Sequence, residues 1–403
     1  MTKRVRTSHR AYSSWSTVGK RESTNAMKVR LVLKDRGWIL EKIAKRLAEY
    51  LPRWNVKAEI DQFPSSSVDV NHWMLYYDTG GKFVSKNTLG ITHVDRRAKL
   101  HVLKRRLESA DMGICMSRMM VEQLVALGAP RDKLCFISPA HDGLVKPKRI
   151  VVGITTQIRP DGAKRESILV EVAKKTHLGN FHFEIIGPNW QRVIPILKAA
   201  GATVNYNEGH YTKSNESHLA LVVDALTRFD YYLYMGWDEG SMGILDALAA
   251  GIPTIATPQG FHLDIESGIT HPFIDSKDLH EIFMRLGNER QSRIDGVKHL
   301  TWDEYARKHA AVWHAIVGGE RSPTDSAIHE GVTFGTDLPE KSGTDWRENW
   351  SRMRTRTNNT ALKDDFAMLW EFYTGKKLRE NRFFKFAKRL KSMLQSDEHI
   401  LGN

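Results

Sequence analysis

Strand-type and helix-type segments alternate along this chain, and the alternation stops and restarts once. A β-branched run such as MKVRLVLK (27–34) is followed by a glycine turn. A stretch with apolar residues at helical spacing, ILEKIAKRLAEYL (39–51), comes next. The rhythm breaks at DGLVKPKR (142–149). Because strands that alternate with helices form parallel sheets covered on both faces, the sequence predicts two successive doubly wound α/β domains.

The predicted elements divide the chain into five parts. In the first half we predict strands at 27–34, 72–78, 88–95, 111–117 and 133–142, and helices at 39–51, 97–110 and 118–128. In the second half we predict strands at 150–155, 181–187, 202–206, 231–236 and 252–258, and helices at 164–176, 193–201, 216–229, 242–251, 276–287 and 301–317. The resulting parts are a basic arm (1–26), an N-terminal domain (27–146), a C-terminal domain (147–318), a linker (319–343) and a helical basic tail (344–403).

Composition indicates a globular protein without a membrane span. Hydrophobic residues make up 41% and charged residues 27% of the 403 residues. No apolar run approaches the roughly 18 residues that cross a bilayer, and the N-terminus lacks the apolar segment of a secretory signal. The two cysteines, Cys115 and Cys135, form no metal-type pair. We therefore expect a cytoplasmic protein with reduced thiols.

The positive charge is concentrated in the first part of the chain. Residues 1–146 hold 27 Lys and Arg against 14 Asp and Glu, which accounts for the whole formal net charge of +13. A basic first half joined to a neutral second half predicts domains with different partners. An anionic partner is expected for the first half, such as a phospholipid surface, a pyrophosphate-linked acceptor or nucleic acid.

The segment WDEGSMGILDALAAGIPTIATPQG (237–260) places acids beside a glycine loop. Its acids are Asp238, Glu239 and Asp246, and an apolar helix is predicted to open at EGSMG, which contains Gly240, Ser241 and Met242. Exposed amides and the helix dipole at such an N-terminus favour a phosphate group. Paired carboxylates accept hydrogen bonds from the diols of a ribose or a sugar. The segment thus predicts a site for a ligand that carries both hydroxyl and phosphate groups.

Three features of the second half resemble the retaining GT-B glycosyltransferases of family 4. The family carries an acid, seven residues, a second acid and then a small-residue run with Gly and Pro, which Asp238, Asp246 and ALAAGIPTIATPQG match. It also has a strand ending in Gly followed by Arg and Lys, and a closing helix with Trp and Ala four positions apart. The matching residues are Gly153, Arg159 and Lys164, and Trp302 and Ala306.

The resemblance implies a GT-B fold, in which two Rossmann-like domains face a central cleft, and transfer of a sugar from a nucleotide-sugar donor with retention of configuration. It implies that Asp246 holds the ribose and that the first acid holds the donor sugar. It gives Arg159 and Lys164 the diphosphate, with no metal or other cofactor. The family usually has Glu at both acidic positions, whereas this chain has Asp at both. Asp238 fits the spacing, and the adjacent Glu239 is the alternative for the first acid.

The remaining site residues follow from the same resemblance. His93, at the tip of a predicted strand, is the candidate that faces the donor sugar, and His72 is its rival. Gly37 matches the family's first glycine turn, which lies against the donor phosphate. Ser117 matches a common family serine. Gly187, in GPNW, lies in a loop where such proteins hold the base.

The partners of the basic regions stay open at this stage. The segment DRRAKLHVLKRR (95–106) and the amphipathic segment 376–394 favour an acceptor such as a lipid-linked glycan or polysaccharide at the inner membrane face. One alternative is a nucleic-acid acceptor, because basic charge also suits phosphates. Another is a scaffold that binds a nucleotide sugar without catalysis. The oligomeric state is not predicted.

Overall fold

The structure is a computed structural model that describes residues 26–78, 82–209, 215–319, 328–329 and 359–374. The chain divides into two compact units: Met1–Asp142 with Leu300–Asn403 in the first, and Gly143–His299 in the second. Almost all of the predicted arm and linker, and the tail segment 376–394, lie outside the described residues.

The first unit contains a six-stranded sheet in which every pairing is parallel. Its order is β2-β1-β3-β4-β5-β6. The strands are β1 (Met27–Val32), β2 (Val56–Asp61), β3 (Val70–Trp73), β4 (Lys86–Ile91), β5 (Met112–Cys115) and β6 (Leu134–Phe136). The pattern of β2, VKAEID, carries charges on an edge strand, and we did not predict this strand.

Helices cover both faces of this sheet. They are α1 (Ile39–Tyr50), α2 (Arg97–Ser109) and α3 (Arg118–Ala126), with 3₁₀ turns at Leu51–Trp54 and Arg131–Lys133. On one face α1 buries Ile43 and Leu47 with Val29 and Leu31 of β1. On the other face α2 and α3 bury a second cluster with β3, β4 and β6. The prediction of an α/β layer covered on both faces is confirmed.

The second unit holds another six-stranded, all-parallel sheet. Its order is β9-β8-β7-β10-β11-β12. The strands are β7 (Ile150–Ile154), β8 (Phe181–Ile186), β9 (Thr203–Asn207), β10 (Tyr231–Tyr234), β11 (Thr254–Ala256) and β12 (His271–Pro272). Counted within this unit, the order is 3-2-1-4-5-6, the arrangement of the dinucleotide-binding Rossmann sheet.

The helices of the second unit again pack on both faces. They are α4 (Glu166–Lys175), α5 (Ile194–Ala199), α6 (Asn215–Leu226), α7 (Met242–Ala249) and α8 (Ser276–Val297), with 3₁₀ turns at Trp190–Arg192 and Gly260–Asp264. One core joins α4, α5 and α8 to the sheet, and the other joins α6 and α7 to it. Two doubly wound sheets are therefore present, as predicted.

The helix that follows the second unit differs from expectation in its location. We expected residues 301–317 to close the C-terminal domain, but α9 (Trp302–Val317) packs in the first unit. Its Trp302, Tyr305 and Trp313 are buried with Val29 and Leu31. A further helix, α10 (Asn359–Thr374), also joins the first unit by packing against α2. The helices α1 and α9 lie on the same face of the first sheet. The apolar side of α9 covers the part of that face that α1 alone leaves open.

Candidate functional site

The second sheet reverses its strand order between β7 and β10, and the loops that leave these two strands carry the main candidate residues. The loop after β7 contains Lys164, and the loop after β10 contains Asp238. In open α/β sheets, ligands bind outside the carboxyl ends of the strands at such a switch point. The topology therefore brings together two residues that lie 74 positions apart in sequence.

Lys164, Tyr234 and Asp238 form a compact hydrogen-bonded cluster at this point. The Lys164 ammonium donates to Asp238 Oδ2 at 2.6 Å and to the Tyr234 hydroxyl at 2.9 Å. The Tyr234 hydroxyl and the Gly240 N–H both donate to Asp238 Oδ1. The side chain of Lys164 is only 15% exposed, so solvent screens this ion pair weakly. Sequence reasoning identified the lysine and the acid but missed the tyrosine.

The cluster keeps Asp238 ionised. Burial acts to raise the pKa of Asp238, but the hydrogen bonds from Lys164, Tyr234 and Gly240 outweigh burial and hold this pKa below its usual value. Burial raises the pKa of Tyr234, and the neighbouring carboxylate acts in the same direction, so the phenol stays protonated as a donor. At neutral pH the site thus presents one carboxylate, one ammonium and one hydroxyl group.

His262 supports the start of α7, and no sequence signal pointed to it. Ser241 is the N-cap of α7, and its backbone N–H donates to His262 Nε2 at 2.8 Å. The Ser241 hydroxyl accepts from Gly243 N–H at 3.3 Å and shares a hydrogen bond with the buried Tyr232 hydroxyl. Burial lowers the pKa of His262, which favours the neutral ring that this acceptor role requires.

The N-terminus of α7 is thus partly satisfied by the protein itself. Ser241 N–H and Gly243 N–H have partners, and Ile244 N–H donates to Ser241 O at 3.0 Å. Within the described part of the chain, Met242 N–H has no hydrogen-bond partner, and the Met242 side chain is 69% exposed. The amides available to an anion are fewer than the sequence suggested.

The other acids and Arg159 are exposed. Asp246 lies one turn into α7, and Glu239 precedes Gly240. Neither carboxylate makes an ion pair or hydrogen bond with the described residues. Arg159 lies in the same loop as Lys164, but its guanidinium contacts Asp161 at 3.3 Å and is half exposed. The structure therefore joins Asp238 and Lys164, and it leaves Glu239, Asp246 and Arg159 at the surface of the second unit.

At each of the three candidate glycines in this unit, neighbouring atoms lie too close for a side chain. A Cβ at Gly153 would lie 2.0 Å from the ring of Phe229, so this glycine lets α6 and its following turn pack on β7. Gly187 has φ +140° and a Cβ there would meet Thr156 O at 2.4 Å. Gly240 has φ +123° and a Cβ would meet the His262 ring at 2.6 Å.

In the first unit, His93 lies just beyond β4 in a polar group. Its Nε2 lies 3.1 Å from Lys99 Nζ and its Nδ1 lies 3.0 Å from Thr92 Oγ1. Lys99 also pairs with Asp95 at 2.7 Å. The ring is 53% exposed, so a ligand can reach it. Gly37, with φ +90°, forms the turn before α1, and its N–H donates to Glu41 at 2.6 Å.

His72 and Ser117 have structural partners. His72 is buried in the core, where its Nδ1 lies 2.9 Å from Thr88 Oγ1 and its ring contacts His309 and Trp313. Ser117 caps α3 by accepting from Met120 N–H at 3.1 Å.

Asp78, which sequence reasoning missed, lies at the carboxyl edge of the first sheet, and burial raises its pKa to about 6.

The basic segment 95–106 is not the free cationic surface that we expected. Lys99 is buried against Asp95 and the Tyr77 ring, and Arg106 lies buried over the rings of Trp73 and Phe83. Other cations of this segment pair with acids: Arg96 with Asp365 of α10 and Arg105 with Glu108. Lys99 and Arg106 thus lie on the core side of α2, and Arg96, which precedes the helix, lies beside α10.

Within the described residues, no group of three or more His, Cys, Asp or Glu side chains is placed to hold a metal ion. In the same part of the chain, no helix combines the length and apolarity needed to cross a bilayer.

Comparison with known proteins gives likenesses among solved structures. No protein-family model matches the sequence, and no curated protein matches it. Similar structures include Anabaena HepE in complex with UDP-glucose (12% identity, 71% of this chain and 94% of that chain, TM-score 0.26) and sucrose-phosphate synthase from Thermosynechococcus elongatus (12%, 72% and 99%, TM-score 0.30). Another is WaaG, a glycosyltransferase involved in lipopolysaccharide biosynthesis (11%, 76% and 100%, TM-score 0.28). Likenesses at this level do not by themselves assign an activity.

Proposed function

We propose that this chain is a glycosyltransferase that moves a sugar from a nucleotide-sugar donor to an acceptor. The observation that carries the proposal is the Lys164–Asp238 pair at the strand-order switch point of a Rossmann-type sheet. A diphosphate is the ligand chemistry that such a position suits, and a sugar nucleotide adds hydroxyl groups that carboxylates accept. The resemblance of 150–265 to family 4 signatures points to the same donor.

The chemistry would use Lys164 and Asp238 in complementary ways. A donor diphosphate competes with Asp238 for the Lys164 ammonium, and the released carboxylate oxygen accepts a hydrogen bond from a donor-sugar hydroxyl. When the bond from the sugar C1 to the phosphate oxygen breaks, its electron pair stays on the phosphate. Lys164, with Arg159 from the same loop, stabilises this charge and takes the part that a metal ion plays elsewhere. Asp246 or Glu239 would hold further hydroxyls, with Asp246 assigned to the ribose.

Retention of configuration is part of the proposal. By the family resemblance, the acceptor hydroxyl oxygen bonds to the sugar C1 on the face from which the phosphate departs, and the leaving phosphate oxygen takes the proton of that hydroxyl. His93, exposed at the end of β4, is proposed to contact the donor sugar, and Gly37 the phosphate.

We also propose an anionic acceptor, a lipid-linked glycan or polysaccharide, reached as a peripheral protein at a membrane. The support is the positive excess of residues 1–146. Vesicles with and without anionic lipid, and duplex DNA at low and high salt, compare the two anionic partners. Binding to DNA with a steep salt dependence and no binding to anionic vesicles would contradict this acceptor class.

The donor proposal is tested by thermal shift with the glucose conjugates of UDP, GDP, ADP and dTDP. One conjugate is expected to stabilise the protein, by about 2.7 kcal/mol at a hundredfold excess over its Kd. Lys164→Ala is expected to abolish that shift. The matched control is Lys148→Ala, which removes a lysine that pairs with Asp230 at 2.8 Å in the same unit and away from the cluster. Equal shifts for the two variants would contradict the proposal.

A further inference from the structure

Trp237 is an exposed tryptophan next to the ionic cluster. The residue is 60% exposed. This exposure is unfavourable, because burial of so large an apolar ring would stabilise the fold. Its backbone N–H donates to Ala163 O at 2.7 Å, and the next residue, Asp238, holds Lys164. Hydrogen bonds at Trp237 and Asp238 thereby join the loops after β7 and β10. These bonds hold the backbone from which the indole projects.

Arg165 covers part of the indole. Its guanidinium carbon lies 4.9 Å from the ring centroid, within the range of a cation–π contact. The same guanidinium donates to Ile274 O, which ties it to the loop after β12. Three consecutive residues, Ala163, Lys164 and Arg165, therefore contact Trp237 and Asp238.

Arg165 is the N-cap of α4, and its backbone is strained. It has φ +51° and ψ +33°, the left-handed region that non-glycine residues rarely adopt. Such conformations persist where the surroundings impose them, and they concentrate at ligand-binding sites.

The same edge of the second sheet exposes further large apolar side chains. Met242 is 69% exposed at the start of α7, Leu263 is 62% exposed after β11, and Ile274 is 59% exposed after β12. All follow the carboxyl end of a strand, where ligands of such sheets bind. Exposed apolar groups on such an edge suit a ligand that is partly apolar.

We propose that Trp237 is a stacking platform for the pyranose ring of the donor sugar, with Arg165 as the residue that positions it. A pyranose has an apolar face of C–H groups and a rim of hydroxyls. The indole offers a flat apolar surface for the face, and the adjacent Asp238 carboxylate accepts from the rim. The inference rests on the proposed function, since it assigns the sugar part of the same donor site.

The test separates sugar binding from nucleotide binding in the full chain. The dissociation constants of UDP, GDP, ADP and dTDP and of their glucose conjugates are measured by titration calorimetry. The proteins are the wild type, Trp237→Ala, Trp237→Phe and the control Phe63→Ala. Phe63 is 56% exposed in the first unit, so its loss matches the removal of an exposed ring. Urea unfolding verifies that each variant is folded.

Trp237→Ala is expected to weaken the glucose conjugate about tenfold and to leave the free nucleotide unchanged. Trp237→Phe should retain most of the affinity, and Phe63→Ala all of it. Equal affinity of wild type and Trp237→Ala for the conjugate overturns the inference while the donor site stands. Loss of the free nucleotide to the same extent shows stacking on the base and also overturns it. If the wild type binds none of the eight ligands, the proposed function fails and the inference fails with it.

Discussion

Gly240 is the residue whose replacement most directly tests the geometry of the second-unit cluster. It has a positive φ, its N–H donates to Asp238, and a Cβ would lie 2.6 Å from the His262 ring. Moving that ring breaks the hydrogen bond from Ser241 N–H that fixes the start of α7. The glycine therefore couples the acid, the helix start and the histidine.

We expect Gly240→Ala to destabilise the protein more than Gly251→Ala. Both residues have positive φ, so both alanines incur backbone strain, but a Cβ at Gly251 meets nothing within 4 Å. The Gly240 variant adds overpacking at the His262 and Phe261 rings, which costs about 1–3 kcal/mol in free energy of unfolding, and φ +123° is less favourable for alanine than φ +73°. Urea denaturation of the two variants measures it, and equal losses would show that the ring moves freely.

At the scale of elements, the packing of α9 on the first sheet buries two histidines. His72 of β3 and His309 of α9 have ring centroids 5.5 Å apart, and Trp313 shares the Thr88 hydroxyl with His72. Burial lowers the pKa of His309 to about 4 and the pKa of His72 well below its usual value. Both rings are thus neutral in the folded protein across the neutral range.

This pair predicts a loss of stability on acidification. In the unfolded chain a histidine takes up a proton near pH 6.5, whereas in the folded protein His309 resists protonation until about pH 4. The contribution of the neutral His309 to the free energy of unfolding is therefore fully present above pH 6.5. It is lost as the pH falls from 6.5 towards 4. From His309 alone the loss is about 2 kcal/mol by pH 5.

Urea midpoints between pH 7.5 and pH 5 measure this effect. His309→Gln is expected to flatten the dependence, because one titrating group is removed. His314→Gln is the control, since His314 lies exposed on the same helix. An unchanged slope in His309→Gln would show that other groups govern the acid response.

How far the sequence could predict the fold depends on the range of the interactions. The alternation of strands and helices sufficed for two parallel sheets, because local periodicity sets both the elements and their layering. The return of α9 could not be predicted, because its partners Val29 and Leu31 lie more than 270 residues earlier. Short β12 and polar β2 lack the apolar run that marks a strand.

The candidate site was predictable to a similar extent. Asp238 and Lys164 come from loops at the ends of adjacent strands, so recognising those strands placed them near one another. Tyr234 and His262 reach the cluster through side-chain direction and a distant turn, which no spacing encodes. The segment 95–106 shows six basic residues in twelve positions, yet the fold buries Lys99 and Arg106.

At the scale of the whole molecule, the second unit is an insertion in the first. The chain leaves the first unit after Asp142 and returns at Leu300. The two crossing points are adjacent, since His141 N–H donates to Leu300 O at 2.9 Å and His141 bridges Thr301. Neighbouring ends allow an inserted unit to fold without its host.

We therefore expect residues 143–299, expressed alone, to unfold cooperatively in urea. Residues 143–318 are the matched contrast, because they add α9 without the sheet that covers Trp302, Tyr305 and Trp313. That fragment should bind a hydrophobic dye and aggregate. A well-behaved 143–318 fragment together with an unfolded 143–299 fragment would show that α9 belongs to the second unit in solution.

The position of α9 also sets the order of events during synthesis on the ribosome. Residues 27–142 emerge first, yet the apolar surface that Val29, Leu31 and Ile43 share with α9 stays uncovered until residue 317 has been translated. At about 5–20 residues per second, the delay between residue 142 and residue 317 lasts roughly 10–35 seconds. During that interval the nascent first sheet is a natural client for a chaperone, although the inserted unit can already be complete.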